Sequence, residues 1–393
     1  PVEAYQAAIA DYDRALAMRP LWAEALEYRG MARQNLGLWI DGRGQDPTGH
    51  YQEAIDDLTR ATTLNALRAS VLVNRAKVRQ NLGVYRDRTG RDAAPDYEAA
   101  LADLERASRL HPRLAEAYLR AGLIRQNLAY AMQHRGEDAT EMYQTAIRVL
   151  HRALELHPES SEALVVRGLA RQNLAQHRAA RGEDPTTEYE KAIVDLGRAI
   201  ELDPRSLEAL KYRGLARQNL ALWRAMRGQD ARDGYEAAIT DLTAALQEAP
   251  DDAELLQTRG LARQNLARLV GRSGGDPSDA YAAAVADLRA ATEKDPARCE
   301  TWIHLGIALH NRGLQAPRDP ATLTEALDAY GRAAKLNPRA ADIYRYRGAT
   351  HFELGRFAEA VADFELAISL NPSLDDAGGG LLRKAREDAN RPR

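Results

Sequence analysis

The densest recurring polar chemistry in this 393-residue sequence is one tetrapeptide, Arg-Gln-Asn-Leu, written six times at intervals of 46 residues. Its amides are Gln34 and Asn35, Gln80 and Asn81, Gln126 and Asn127, Gln172 and Asn173, Gln218 and Asn219, and Gln264 and Asn265. At the next equivalent place stand His310 and Asn311. A side-chain amide donates to and accepts from a single backbone peptide group, so a column of amides suits an extended peptide. A structural role is equally open. Asparagine is a poor residue for a helix interior, and it could instead bond the backbone of a neighbouring helix and set how successive units stack.

Other columns share the period. An arginine recurs at Arg29, Arg75, Arg167, Arg213, Arg259 and Arg347, and an aspartate at Asp57, Asp103, Asp195, Asp241, Asp287 and Asp363. Where one member is lost, so is the other: Ala121 goes with Val149, and Leu305 with Ala329. Joint replacement by apolar residues is the pattern of a partly buried ion pair, because losing one half is costly and losing both is not. Asp11 has the aspartate position but no arginine, and its partner is expected upstream of residue 1. An acid recurs at Glu24, Glu116, Glu162, Glu208, Glu254, Glu300 and Asp342. It would favour a basic ligand, or simply answer a helix dipole. Met31, Leu123, Leu169, Leu215, Leu261 and Ile307 form an apolar row, either core or groove floor.

Little else could do chemistry. The nine histidines are scattered, the one cysteine is Cys299, and neither metal-ligand spacing nor a phosphate-binding glycine loop occurs. The expectation is a protein that is not an enzyme and needs no cofactor. With 54 basic and 57 acidic side chains there is no general attraction for nucleic acid or anionic membranes. No apolar run approaches the roughly 18 residues of a membrane span, so no membrane insertion is expected. A single cysteine suits a reducing, cytoplasmic compartment. The absence of a leader and of an initiating Met leads us to expect a piece of a longer protein.

The columns must be positioned by helices. Apolar residues recur at helical spacing in Leu207, Leu210, Gly214 and Leu215, and again in Tyr235, Ala238, Ile239, Leu242 and Leu246. Pro204 and Pro250 mark helix ends. A second series, Ala8, Ala54, Ala100, Ala146, Ala192, Ala238 and Ala284, keeps the step of 46; Ala326 and Ala360 follow at 42 and 34. The last step is informative. Tyr344, Gly348, Gly355, Phe357, Ala360, Phe364, Ala367 and Pro372 stand at signature spacings, and the stretch 341–373 resembles a tetratricopeptide repeat. Earlier units share the frame with 12 more residues between their two helices. Those residues are expected to lengthen the helices up to stops at Arg43-Gly44, Arg135-Gly136 and Arg181-Gly182. Asp46-Pro47, Asp184-Pro185 and Asp276-Pro277 then restart the chain as a cap and a first helical residue.

The resemblance implies an all-α fold, an α-solenoid of antiparallel helix pairs with no sheet, stacking into a superhelix. Residues 1–19 read as an unpaired second helix, and 20–296 as six elongated repeats. A 42-residue repeat follows at 297–338, an ordinary 34-residue repeat at 339–372, and a cap and tail at 373–393, with a short charged helix over 381–388 after the run Gly378-Gly379-Gly380. In the family, the Gln-Asn positions face a concave groove, and related solenoids hold peptides on asparagine ladders. The implied partner is a protein or peptide segment, of some basic character if the acid column faces it. Two alternatives stand beside it: a spacer or rod that self-associates end to end through residues 1–19, and a sensor region of a signalling enzyme.

Overall fold

The computed structural model describes residues 2–389. Contacts divide the chain into two units, residues 1–204 and 205–393. In the first, the second helix α1 (Val2–Met18) is followed by pairs. These are α2 (Ala23–Asp41) with α3 (Thr48–Leu64), α4 (Ala69–Arg88) with α5 (Ala94–Leu110), α6 (Ala115–His134) with α7 (Thr140–Leu156), and α8 (Ser161–Ala180) with α9 (Thr186–Leu202). The second unit continues with α10 (Leu207–Met226) and α11 (Arg232–Glu248), α12 (Ala253–Arg272) and α13 (Ser278–Lys294), α14 (Cys299–Gly313) and α15 (Pro320–Leu336), then α16 (Ala341–Glu353) and α17 (Phe357–Leu370). It closes with α18 (Leu374–Ala389). No strand occurs among the described residues.

The longer repeat lengthens mainly its first helix. From α4 to α12 the first helices have 20 residues and the second helices 17, against 13 and 14 in α16 and α17. Twenty residues span about 30 Å. Each long first helix of a 46-residue unit is stopped by a left-handed glycine, Gly44, Gly90, Gly136, Gly182, Gly228 or Gly274, at φ between 70° and 79°. The following aspartate then caps the next helix. Thr48 N–H donates to Asp46 Oδ1 at 2.9 Å, as Thr186 does to Asp184 and Ser278 to Asp276. The proline between them lies at the boundary rather than inside the helix.

Knobs on the paired second helices fill sockets on their own first helices, two of them on α3. Leu58 sits over Gly30 and Tyr51 over Gly37, so closely that a Cβ on Gly37 would stand 2.6 Å from the tyrosine ring. Leu58, Tyr51, Tyr143 and Ala54 are wholly buried, and Tyr97 is 1% exposed. Within each unit, successive first helices touch, whereas successive second helices do not. The first-helix side is therefore the inner side of each unit's stack.

At the C-terminal end, α18 starts at Leu374 and runs through the glycine run rather than after it. Leu382 and Ala385 are buried against Ala360 and Phe364, and this packing outweighs the poor helix propensity of glycine. Residues 390–393, the last of the expected tail, lie outside the described residues.

Candidate functional site

The charged column forms a clamp in six pairs. Arg167 lies against Asp195 in bidentate geometry, Nε to Oδ2 at 2.9 Å and Nη2 to Oδ1 at 2.6 Å. The same carboxylate accepts from Nη1 of Arg171 at 2.6 Å. Asp57, Asp103, Asp241 and Asp287 repeat this double acceptance from Arg29 and Arg33, Arg75 and Arg79, Arg213 and Arg217, and Arg259 and Arg263. In the last pair Arg347 binds Asp363, and His351 stands where the second arginine would be, 3.9 Å away. The first arginine often reaches back to the preceding second helix as well: Arg29 donates to Asp13 at 2.6 Å and Arg75 to Thr59 at 3.1 Å. Burial pushes Arg79, Arg171, Arg217 and Arg263 below their ordinary value, against the pull of the shared aspartate.

In five of the six Arg-Gln-Asn triplets the arginine therefore belongs to the clamp, a role sequence analysis missed. The signal was available, since Arg29 and Arg33 are four residues apart and share a helix face. In the third repeat, with Ala121 and Val149, Arg125 is kept without the clamp aspartate; its Nη1 donates to the Ala121 carbonyl at 3.2 Å, and burial lowers its pKa against the pull of Glu105.

The two amides of the triplet part company. Gln80, Gln126, Gln172 and Gln218 are buried, while Gln34 and Gln264 are half-buried. Asn35 is exposed, and Asn81, Asn127, Asn219 and Asn265 are half-buried. Asn173 is buried, and His310 and Asn311 are half-buried. Among the described residues none of the six glutamines hydrogen-bonds a neighbouring helix through its side chain; the amide oxygens of Gln172, Gln218 and Gln264 are buried and unbonded. His310 differs, its Nδ1 lying 2.8 Å from the Thr350 hydroxyl.

Helical spacing puts position 35 on the face turned away from the paired second helix, with Glu24, Tyr28, Met31 and Leu38. On successive first helices of the first unit, the position one turn beyond the asparagine is Leu38, Val84 and Tyr130. These side chains are 44%, 40% and 48% exposed. Tyr28 is 48% exposed on the same face. The apolar row behind them is half-buried at Met31, Leu123 and Leu169 and is interrupted by Lys77. A cleft of about 510 Å³ opens at the N-terminal ends of α4 and α6, lined by Arg68, Ser70, Asn74, His111 and Glu116 among others.

The acid column is largely neutralised by cations on adjoining first helices. Glu116 pairs with Lys77 at 2.5 Å, Glu162 with Arg120 at 3.0 Å and Glu254 with Lys211 at 2.5 Å, while Arg68 holds Glu24 and the buried Glu27. The bond to Lys77 holds Glu116 below the usual carboxylate range, against its burial. These cations occupy non-equivalent repeat positions, so sequence periodicity did not reveal them. Among the described residues no group of His, Cys, Asp and Glu is placed to hold a metal, and no helix is long and apolar enough to cross a membrane.

Residues 341–374 match the family model of the tetratricopeptide repeat, and the pair α16–α17 is such a repeat. No curated protein matches the sequence. Similar solved structures include YrrB, described as a tetratricopeptide-repeat protein with an unusual peptide-binding site. It has 20% identity over 57% of this chain and 92% of its own, with a TM-score of 0.39. MamA is another, at 18% identity over 52% and 97% with a TM-score of 0.38. A MamA fragment from Desulfovibrio magneticus RS-1 gives 17% over 55% and 95%, with a TM-score of 0.37. The fold is an all-α array of helix pairs of the tetratricopeptide type, an architecture that serves as a protein-interaction scaffold.

Proposed function

We propose that the inner face of the first unit, over α2, α4 and α6, binds an extended protein segment. The observation that carries this reading is the row Leu38, Val84 and Tyr130, exposed on three touching helices one turn beyond Asn35, Asn81 and Asn127. Large apolar side chains in contiguous exposure and rimmed by polar groups mark interaction surfaces. The asparagines supply the paired donor and acceptor that a peptide backbone needs. The glutamines, being mostly buried, support the asparagines rather than meet the ligand. Because Lys77 and Arg120 already pair the acids of this face, the segment need not be basic; apolar side chains, with at most weak charge, fit better.

An array of uncharged 12-residue peptides with alternating apolar residues provides the test. The unchanged protein should retain a subset of them. Changing Asn35, Asn81 and Asn127 together to Ala, or Leu38, Val84 and Tyr130 together to Ser, should weaken that retention by about tenfold or more, a loss of roughly 1.4 kcal/mol. The helix content and thermal midpoint should stay near those of the parent. Equal retention by either variant, or none by the parent, would remove the inner face as the site.

A further inference from the structure

We infer, on the reading of the inner face given above, that the cleft at the N-terminal ends of α4 and α6 takes one lysine side chain of the bound segment. The cleft holds about 510 Å³, a size that encloses a small ligand group. It opens because α4 carries short side chains where its neighbours carry long ones. Ser70 stands at the place of Glu24 and Glu116, and Asn74 at that of Tyr28 and Arg120. Along α4, Asn74 lies about 15 Å before Val84 of the exposed row. An extended chain covers that distance in about four or five residues.

The polarity of the cleft is set by a buried acid behind its wall. Glu27 of α2 is 4% exposed, at a position that is Val73 and Leu119 in the next two repeats. Its Oε1 accepts from Asn74 Nδ2 at 2.9 Å and from the Ser70 hydroxyl at 3.5 Å, and Asn74 Nδ2 also donates to Met31 Sδ at 3.5 Å. The donors of Ser70 and Asn74 are thus engaged, and what they have left are acceptor oxygens. Arg68 is engaged too, its Nη1 lying 3.3 Å from Glu24 and 3.2 Å from Glu27. Two carboxylates share that one guanidinium, and Oε2 of Glu27 is buried without a hydrogen bond, so negative charge is left over. A carboxylate or phosphate would meet only repulsion there. An ammonium brings three donors and no acceptor. The aliphatic stem of a lysine then lies along Leu67, Val73 and Leu114, of which Leu67 is 73% exposed.

The test moves one lysine through each uncharged 12-residue peptide that the protein retains. Norleucine, which has the stem without the ammonium, is the control at every position. At one position lysine should bind at least tenfold more tightly than norleucine. Asn74→Tyr copies Tyr28, a side chain the fold already accepts at this place, and fills the cleft; it should abolish the preference. Glu27→Gln, which removes the charge behind the wall, should abolish it as well. No preference at any position, or a preference that survives either variant, overturns the proposal while the apolar row stands. If no uncharged peptide is retained, the lysine scan is applied to the whole peptide set. Retention confined to one lysine position and lost in Asn74→Tyr would then support the cleft without the row, and no retention would overturn both.

Discussion

A carboxylate that serves two guanidinium groups is the residue-scale feature on which each repeat closes. Asp103 is 6% exposed at its side chain, with Arg75 at 11% and Arg79 at 19%. Asp103→Ala leaves two half-buried cations without an anion, at an expected cost of about 3 kcal/mol. Long arrays do not unfold as one unit, so the measurement is hydrogen exchange in α4 and α5, which should quicken by roughly a hundredfold. Arg75→Ala combined with Asp103→Val copies the natural state at Ala121 and Val149 and should cost less than half as much. A double variant as damaged as the single would show that the clamp does not work as a pair. The first arginine and the aspartate were legible in the sequence because they disappear together. The second arginine was legible only through its spacing of four from the first, because Arg125 survives where its aspartate is gone. The amides were legible as a column, yet their exposure was not: one position of helical rotation turns the glutamine toward the neighbouring first helix and leaves the asparagine on the open face.

At the scale of elements, α14 and α16 carry His310 where the longer repeats have a glutamine, His351 where they have the second clamp arginine, and His304 about a helix turn and a half before His310. Burial lowers the pKa of His304, His310 and His351 below the ordinary 6.5, against the nearby acids Glu300, Glu353 and Asp363. The folded chain then keeps these rings neutral while the unfolded chain takes up protons, so stability falls as pH drops through the ordinary value. The loss levels off once pH passes below the folded values. The thermal midpoint of the second unit should therefore drop between pH 7.5 and pH 5.5, and changing all three histidines to Gln should flatten that slope. An unchanged slope would assign the pH response elsewhere. The order of the nine second and eight first helices among the described residues was readable beforehand, because period, glycine stops and Asp caps agree with one another. The start of α18 was not, since local glycine content argued for a break and only the contact of Leu382 and Ala385 with α17 argued against it.

At the scale of the molecule, the repeats of the first unit are interchangeable at their contacts. Removing residues 47–92 would place α2 against α5, with Gly30 and Gly37 facing Leu104 and Tyr97 and with Arg29 and Arg33 facing Asp103. Each contact is of the kind it replaces. The shortened chain should keep the parent's helix content per residue and its exchange protection in α2 and α5, as nearest-neighbour stability predicts. It should lose only the part of the binding row carried by Asn81 and Val84. Circular dichroism and exchange would show this; a deletion of 40 residues at the same place should collapse the stack, and equal tolerance of both would refute register as the organising constraint.

The loop in which a left-handed glycine stops one helix and an aspartate starts the next thus has a role beyond joining them. It is a splice point. Cutting and rejoining at any two of these loops within the unit changes the chain by whole rungs, so the reach of its inner face is quantised, and a longer or shorter partner can be met by counting repeats instead of redesigning any one of them.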